Sequence, residues 1–131
     1  VITPVSGNLG LPRRMLAGVS VGNKIIFAGG FDMNGNAVST VDICTFPEGT
    51  WTSANLMMPR AKIVAVAVKH YAIFYGGIGK QNEAINLVEI YDSILNDWAA
   101  SSTFATAFGA GIVLDDVAVF AGGIISSLMF E

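Results

Sequence analysis

The chain is poor in cysteine, histidine and charge, and each scarcity narrows what it can do. Cys44 is the only cysteine in 131 residues, so no intrachain disulfide can form and a disulfide-dense secreted scaffold is excluded, though secretion is not. His70 is the single histidine and falls in a predicted hairpin turn, a position that anchors neither a multi-histidine metal site nor a catalytic triad. Charged residues make up 13%, with a formal net charge of -3. The basic ones (Arg13, Arg14, Lys24, Arg60, Lys62, Lys69, Lys80) are scattered, which leaves no electrostatic footprint for nucleic acid. The longest apolar stretch, Ile63 to Gly79, is broken by Lys69 and His70 and falls short of the roughly 20 residues a bilayer requires, so no membrane span is expected. No Asn-x-Ser/Thr acceptor occurs. A chain that begins at Val1 without a charged-then-apolar leader is expected to be a processed protein or a fragment.

What the chain does have is hydrophobic residues at 53% and an internal period. "IIFAGG" at 25–30 returns as "AIFYGG" at 72–77 and as "AVFAGG" at 118–123. Laying residues 11–57 over 58–104 without a gap matches Pro12 with Pro59, Arg13 with Arg60, Val19 with Val66, Val21 with Val68, Ile26 with Ile73 and Phe27 with Phe74. It also matches Gly29-Gly30 with Gly76-Gly77, Ala37 with Ala84, Val41 with Val88, Ile43 with Ile90 and Trp51 with Trp98, twelve identities in 47 positions. Gly122-Gly123 continues the series 46 residues on. "TPVSGNLGLPR" at 3–13 aligns with "TWTSANLMMPR" at 50–60, Pro4 standing where Trp51 stands, so residues 1–10 read as the outer strand of a preceding unit.

Within a unit, two short apolar runs flank a two-residue connection: Gly22-Asn23, Lys69-His70 or Asp115-Asp116. These read as hairpins, and their unbroken hydrophobicity predicts strands covered on both faces. A polar loop follows the glycines, then an alternating third strand ("STVDICT", "NLVEIYD"), a turn, and a short fourth strand carrying the tryptophan. Four strands per unit of 47 residues is the layout of one propeller blade. The glycine pair is expected to bring the backbone close to bulky neighbours, with the indole 21 residues later packed over it and Trp51, Trp98 and Tyr91 in the core.

The double glycine closing the second strand, the "VEIYD"-like third strand, the later tryptophan and the Pro-Arg leading into the next unit resemble the kelch repeat over nearly the whole chain. Cys44 in place of Tyr91, Thr45 in place of Asp92, Thr106 in place of the third Arg and Pro4 in place of the first Trp depart from it. The resemblance implies an all-β, kelch-type β-propeller segment: blades at 11–57 and 58–104, a partial blade at 105–131, and a leading outer strand at 1–10. Propellers close with about four to eight blades. Roughly 2.8 units do not close, so further blades are expected from sequence outside this chain or from other chains. An open arc is also expected to expose unpaired strand edges and an apolar blade face.

The family serves most often as a protein-binding platform, which makes a protein partner the expected ligand. Alternatives are a structural component of a multi-chain assembly, or part of a kelch-fold enzyme such as a sugar oxidase or sugar epimerase with its catalytic groups elsewhere. Copper oxidases of that fold need several histidines and a cysteine joined to a tyrosine, and no cofactor or metal is expected here. Loops after the second strand and the links between blades emerge at one end. Phe31, Asp32, Asn34, Lys80, Gln81, Asn82 and Glu83 are the candidate contacts there. Arg13 and Arg60 have two readings: holding backbone carbonyls between blades, or offering a guanidinium fork to a carboxylate ligand. Asp115-Asp116 reads as a turn former and Cys44 as a small buried hydrophobe.

Overall fold

A computed structural model describes residues 9–107, 109–125 and 128–129 of the chain. Strands β1 (Ala17–Val21), β2 (Lys24–Ala28), β3 (Thr40–Thr45) and β4 (Thr50–Asn55) form one antiparallel sheet in that order. A second antiparallel sheet repeats the arrangement with β5 (Val64–Val68), β6 (Tyr71–Tyr75), β7 (Ile85–Asp92) and β8 (Asp97–Thr106). A hairpin of β9 (Ala110–Leu114) and β10 (Val117–Ala121) follows, then a separate short pair, β11 (Ile124–Ile125) and β12 (Leu128–Met129). The described residues hold no helix, so the protein is all-β, a succession of antiparallel sheets consistent with a propeller-like fold. The expected outer strand at 1–10 falls on residues 1–8, outside the described ones, while Leu9 and Gly10 belong to no strand.

The sequence period reappears as register. Val19 faces Ile26, Ile26 faces Ile43 and Ile43 faces Thr52 in the first sheet. Val66, Ile73, Ile90 and Ala99 form the same row in the second. Each hairpin turns on a left-handed residue, Gly22 (φ 58), Lys69 (φ 55) or Asp115 (φ 52), which lets two residues reverse the chain. The double glycines adopt the same pair of torsions three times: φ 65 and 106, then 66 and 108, then 73 and 111. Side chains rarely reach the second of these values, which is why the pair stays glycine.

Successive side chains of a strand point to opposite faces, so each sheet has a leading and a trailing face. The trailing face of the first sheet carries Ala17, Val21, Ile26, Ala28, Val41 and Ile43, all buried. They form one core with Ala72, Phe74 and Tyr91 from the leading face of the second sheet and with Leu56 and Ile63 of the connecting segment. Burying one such side chain stabilises the fold by about 1.5–3 kcal/mol, so this inter-sheet layer is the main cohesive element of the pair. The trailing face of the second sheet meets the β9–β10 hairpin, where Tyr75 and Phe120 stack with centroids 4.5 Å apart.

Three expectations need correction. The indole does not lie over the glycine pair: Trp51 faces Cys44, and Cys44 faces Ile25, four residues before Gly29 along β2. At roughly 3.3 Å per residue that is about 13 Å away. Trp51 stacks instead on Phe27 (6.4 Å between centroids), and Trp98 packs on Phe74 (5.7 Å) and Tyr91 (5.0 Å). What crowds the glycines is linker backbone, since a Cβ on Gly30 would stand 2.8 Å from the Arg14 carbonyl oxygen and one on Gly77 would stand 2.6 Å from that of Ala61.

Second, Trp51 is not a core residue, being 40% exposed, whereas Tyr91 is fully buried and Trp98 partly so. Cys44 stands in the place of Tyr91, so Trp51 lacks the second ring that Trp98 packs on, and among the described residues no sheet lies on that leading face. Third, coverage on both faces fails for the β9–β10 hairpin. Its trailing side chains Ile112, Leu114, Val117 and Val119 are 49–73% exposed.

Candidate functional site

The loops after β2 and β6 are built on one hydrogen-bond frame. Phe31 and Arg14 exchange backbone bonds (2.8 and 3.0 Å), as do Ile78 and Ala61 (2.8 and 2.9 Å). Asp32 N donates to Asn36 O as Gly79 N donates to Glu83 O, both at 2.9 Å. Gly35 N reaches Asp32 O as Asn82 N reaches Gly79 O, both at 3.1 Å, and Val38 N reaches Gly30 O (2.9 Å) as Ile85 N reaches Gly77 O (3.0 Å). The two loop roots are stitched together by adjacent linker residues: Gly30 N donates to Arg60 O at 3.0 Å, and Ala61 carries Ile78. Rigid roots with exposed tips are the arrangement in which loop side chains present themselves with little entropy left to lose on binding.

The candidate residues divide on this frame. Asn34, Lys80, Gln81, Asn82 and Glu83 are exposed at the tips. The Asp32 carboxylate accepts from Asn34 N and Asn36 N (both 2.9 Å), and Glu83 Oε2 accepts from Gln81 N (2.8 Å), so these acids shape their own loops. Phe31 is half-buried, its ring 5.7 Å from the Arg14 guanidinium carbon. Beside it an open groove of about 200 Å³ is lined by Pro12, Arg13, Arg14, Phe31, Asp32 and Met33. Arg14 and Met33, the latter 83% exposed, were not singled out by the sequence, because Ala61 and Lys80 stand at their places in the next unit and no repetition marks them.

Arg13 and Arg60 belong to the scaffold. Arg60 Nη1 donates to Gly76 O (2.8 Å) and Leu87 O (3.0 Å), and Nη2 donates to Glu89 Oε2 (2.6 Å). Glu89 in turn accepts from Met57 N with its other oxygen (2.9 Å). Arg13 repeats this with Thr40 O (2.9 Å) and Asp42 Oδ2 (2.7 Å). Both arginine side chains are 0% exposed and their carboxylate partners 9% or less, so neither fork is free for an outside ligand. Burial lowers the pKa of both guanidinium groups, and the carboxylate partner opposes that shift in each case. Because Arg60 also bonds the first sheet through its backbone (its O from Gly30, its N to Val38 O), it links the two sheets directly. Asp42 and Glu89 were missed because they are not identical residues. The signal that marks them is the constant separation of 29 residues from arginine to acid.

Gly29, Gly30, Gly76, Gly77, Gly122 and Gly123 close their hairpins and carry no side-chain chemistry. Cys44 is buried. His70 sits in its turn with Nε2 3.6 Å from Asp92 Oδ2 and its ring against Tyr71. Hydrogen bonds from the Leu95 and Ile94 N–H groups, with the His70 charge, hold the Asp92 carboxyl below its ordinary range. The Tyr91 phenol donates to Asn96 Oδ1 (2.8 Å), and burial, with the Asp92 charge adding to it, raises its pKa. Among the described residues no cluster of three His, Cys, Asp or Glu side chains could hold a metal ion, and no helix is long and apolar enough to cross a membrane. No protein-family model matches the chain, and no curated protein matches it.

Proposed function

We propose that this chain is a section of a kelch-type β-propeller whose loop end binds another protein. The observation that carries the reading is the pair of loops at 31–36 and 78–83. They share a backbone frame bond for bond yet differ in nearly every exposed side chain, Met33-Asn34 against Lys80-Gln81. A scaffold that repeats its backbone and varies its tips suits recognition, while its repeated torsions hold the geometry. The groove beside Phe31, with the Arg14 cation at its rim, adds an aromatic and cationic anchor of the kind that dominates protein interfaces.

The test is quantitative capture of partner protein by the immobilised chain, compared with a variant carrying alanine at Asn34, Lys80, Gln81 and Asn82 and with Arg14→Ala. The reading expects both variants to lose capture while their far-UV circular dichroism is unchanged. Undiminished capture overturns it. A second reading, a component of a multi-chain assembly, is favoured by one observation: the uncovered apolar face of the β9–β10 hairpin.

A further inference from the structure

The chain shows twice what its trailing faces accept. That of the first sheet is covered by the leading face of the second, with Ala65, Ala67, Ala72, Phe74, Tyr91 and Trp98. That of the second is covered by the leading face of the hairpin, where Phe120 stacks on Tyr75 and a Cβ on Gly111 would stand 2.8 Å from Val64. The third trailing face carries Ile112 and Leu114 at 69% and 73% exposure, in the positions where the second sheet has Val66 and Val68 at 9% and 8%. It is the same surface with nothing upon it among the described residues.

The complementary surface is open along its inner strand and at Trp51, which is 40% exposed, although Asp42 and Cys44 on the same face are buried, and no sheet lies on it among the described residues. The leading face of the first sheet holds Phe27 and Trp51 in the places of Phe74 and Trp98, the residues with which the second sheet covers the first. Its inner strand presents Gly18 and Ser20, both exposed, where the second sheet has Ala65 and Ala67. Small residues there are what let an incoming sheet approach closely. At the turn end, Lys69 pairs with Asp116 across the second joint (3.7 Å). The corresponding residues of the open faces are Asp115 and Asn23, so no like charges would meet.

Resting on the assembly reading above, we infer that the exposed trailing face of β9–β10 docks on the leading face of β1–β4 in a second copy of this chain. The contact is head-to-tail. Two copies related by a two-fold axis satisfy both faces of each.

Analytical ultracentrifugation of the purified chain tests this, with Ile112→Glu placed on the trailing face and Ser20→Lys on the leading face. Both positions are exposed, so each variant keeps the wild-type circular dichroism. The expected result is a wild-type species of twice the 13.7 kDa chain mass, association weakened at least about 100-fold for each variant alone, and recovery of a dimer when the two are mixed. Recovery follows because a mixed pair retains one unaltered joint. A monomeric wild type overturns the inference, as does a Ser20→Lys variant that stays dimeric while Ile112→Glu dissociates, the signature of like faces pairing. Neither outcome touches partner capture by the loops, so failure here is distinct from failure of the binding reading.

Discussion

Replacing Arg60 with methionine removes the guanidinium that joins the two sheets and keeps a buried stem of similar length. Three hydrogen bonds disappear, to Gly76 O, Leu87 O and Glu89 Oε2, and the Glu89 carboxylate is left with the Met57 N–H as its one partner. Because the two side chains are 0% and 2% exposed, water does not replace the lost donor without opening the core. A buried charge stranded in this way costs about 3–5 kcal/mol, whereas an exposed pair is worth about 0.2–1 kcal/mol. Against a total stability on the order of 5–15 kcal/mol the loss is large, and for a chain of this length it corresponds to a fall in Tm of roughly 10–20 °C. Urea unfolding followed by the fluorescence of Trp51 and Trp98 measures it. The double variant Arg60→Met with Glu89→Leu separates the causes. Removing both charges recovers at least about 2 kcal/mol, and the remainder reflects the Gly76 carbonyl and the Met57 N–H left unpaired at about 1 kcal/mol each, because Leu87 O keeps its bond from Gly76 N (3.0 Å). A loss below about 1 kcal/mol for Arg60→Met, or a double variant no more stable than the single one, would refute the reasoning.

Gly77→Ala places a Cβ 2.6 Å from the Ala61 carbonyl oxygen at φ 108, while Gly49→Ala meets nothing within 4 Å at φ 71. Urea midpoints are expected to show the first costing more than about 2 kcal/mol and the second about 1 kcal/mol, and equal costs would contradict a role for close linker approach. The raised pKa of Tyr91 means the unfolded chain loses the phenolic proton first, so its contribution is full below pH 10.0 and is lost as pH rises through the higher folded value. Tyr91→Phe should flatten that alkaline limb in a pH series of melting temperatures. Asp92, with its pKa lowered, contributes above pH 3.8 and loses that contribution as pH falls through the folded value. Asp92→Asn should flatten the acid limb of the same series.

The features legible in the sequence were those that repeat as identical letters. The glycine pairs could be placed at strand ends because only glycine holds their torsions, and Pro-Arg could be placed in the linkers. The acid partners of the arginines were hidden because a carboxylate serves equally well as Asp42 or Glu89, and because a polar residue on an alternating strand reads as solvent-facing. Trp51 misled for a reason outside its own position. Its burial depends on Tyr91-like bulk that Cys44 does not supply and on a neighbouring sheet that is not found among the described residues. The loop tips were recognisable as polar and exposed. The Arg14–Phe31 contact and the groove beside it depend on one unit alone, where no period points.

The two sheets are copies of one another, row by row, and the propeller-like arrangement stands on that repetition. Backbone NOE spectroscopy tests this directly. It should trace Val19 to Ile26 to Ile43 to Thr52 and, shifted by one period, Val66 to Ile73 to Ile90 to Ala99, as the strand registers require. Sequential helical contacts across Ile63 to Tyr75, or one row present and its counterpart missing, would contradict it.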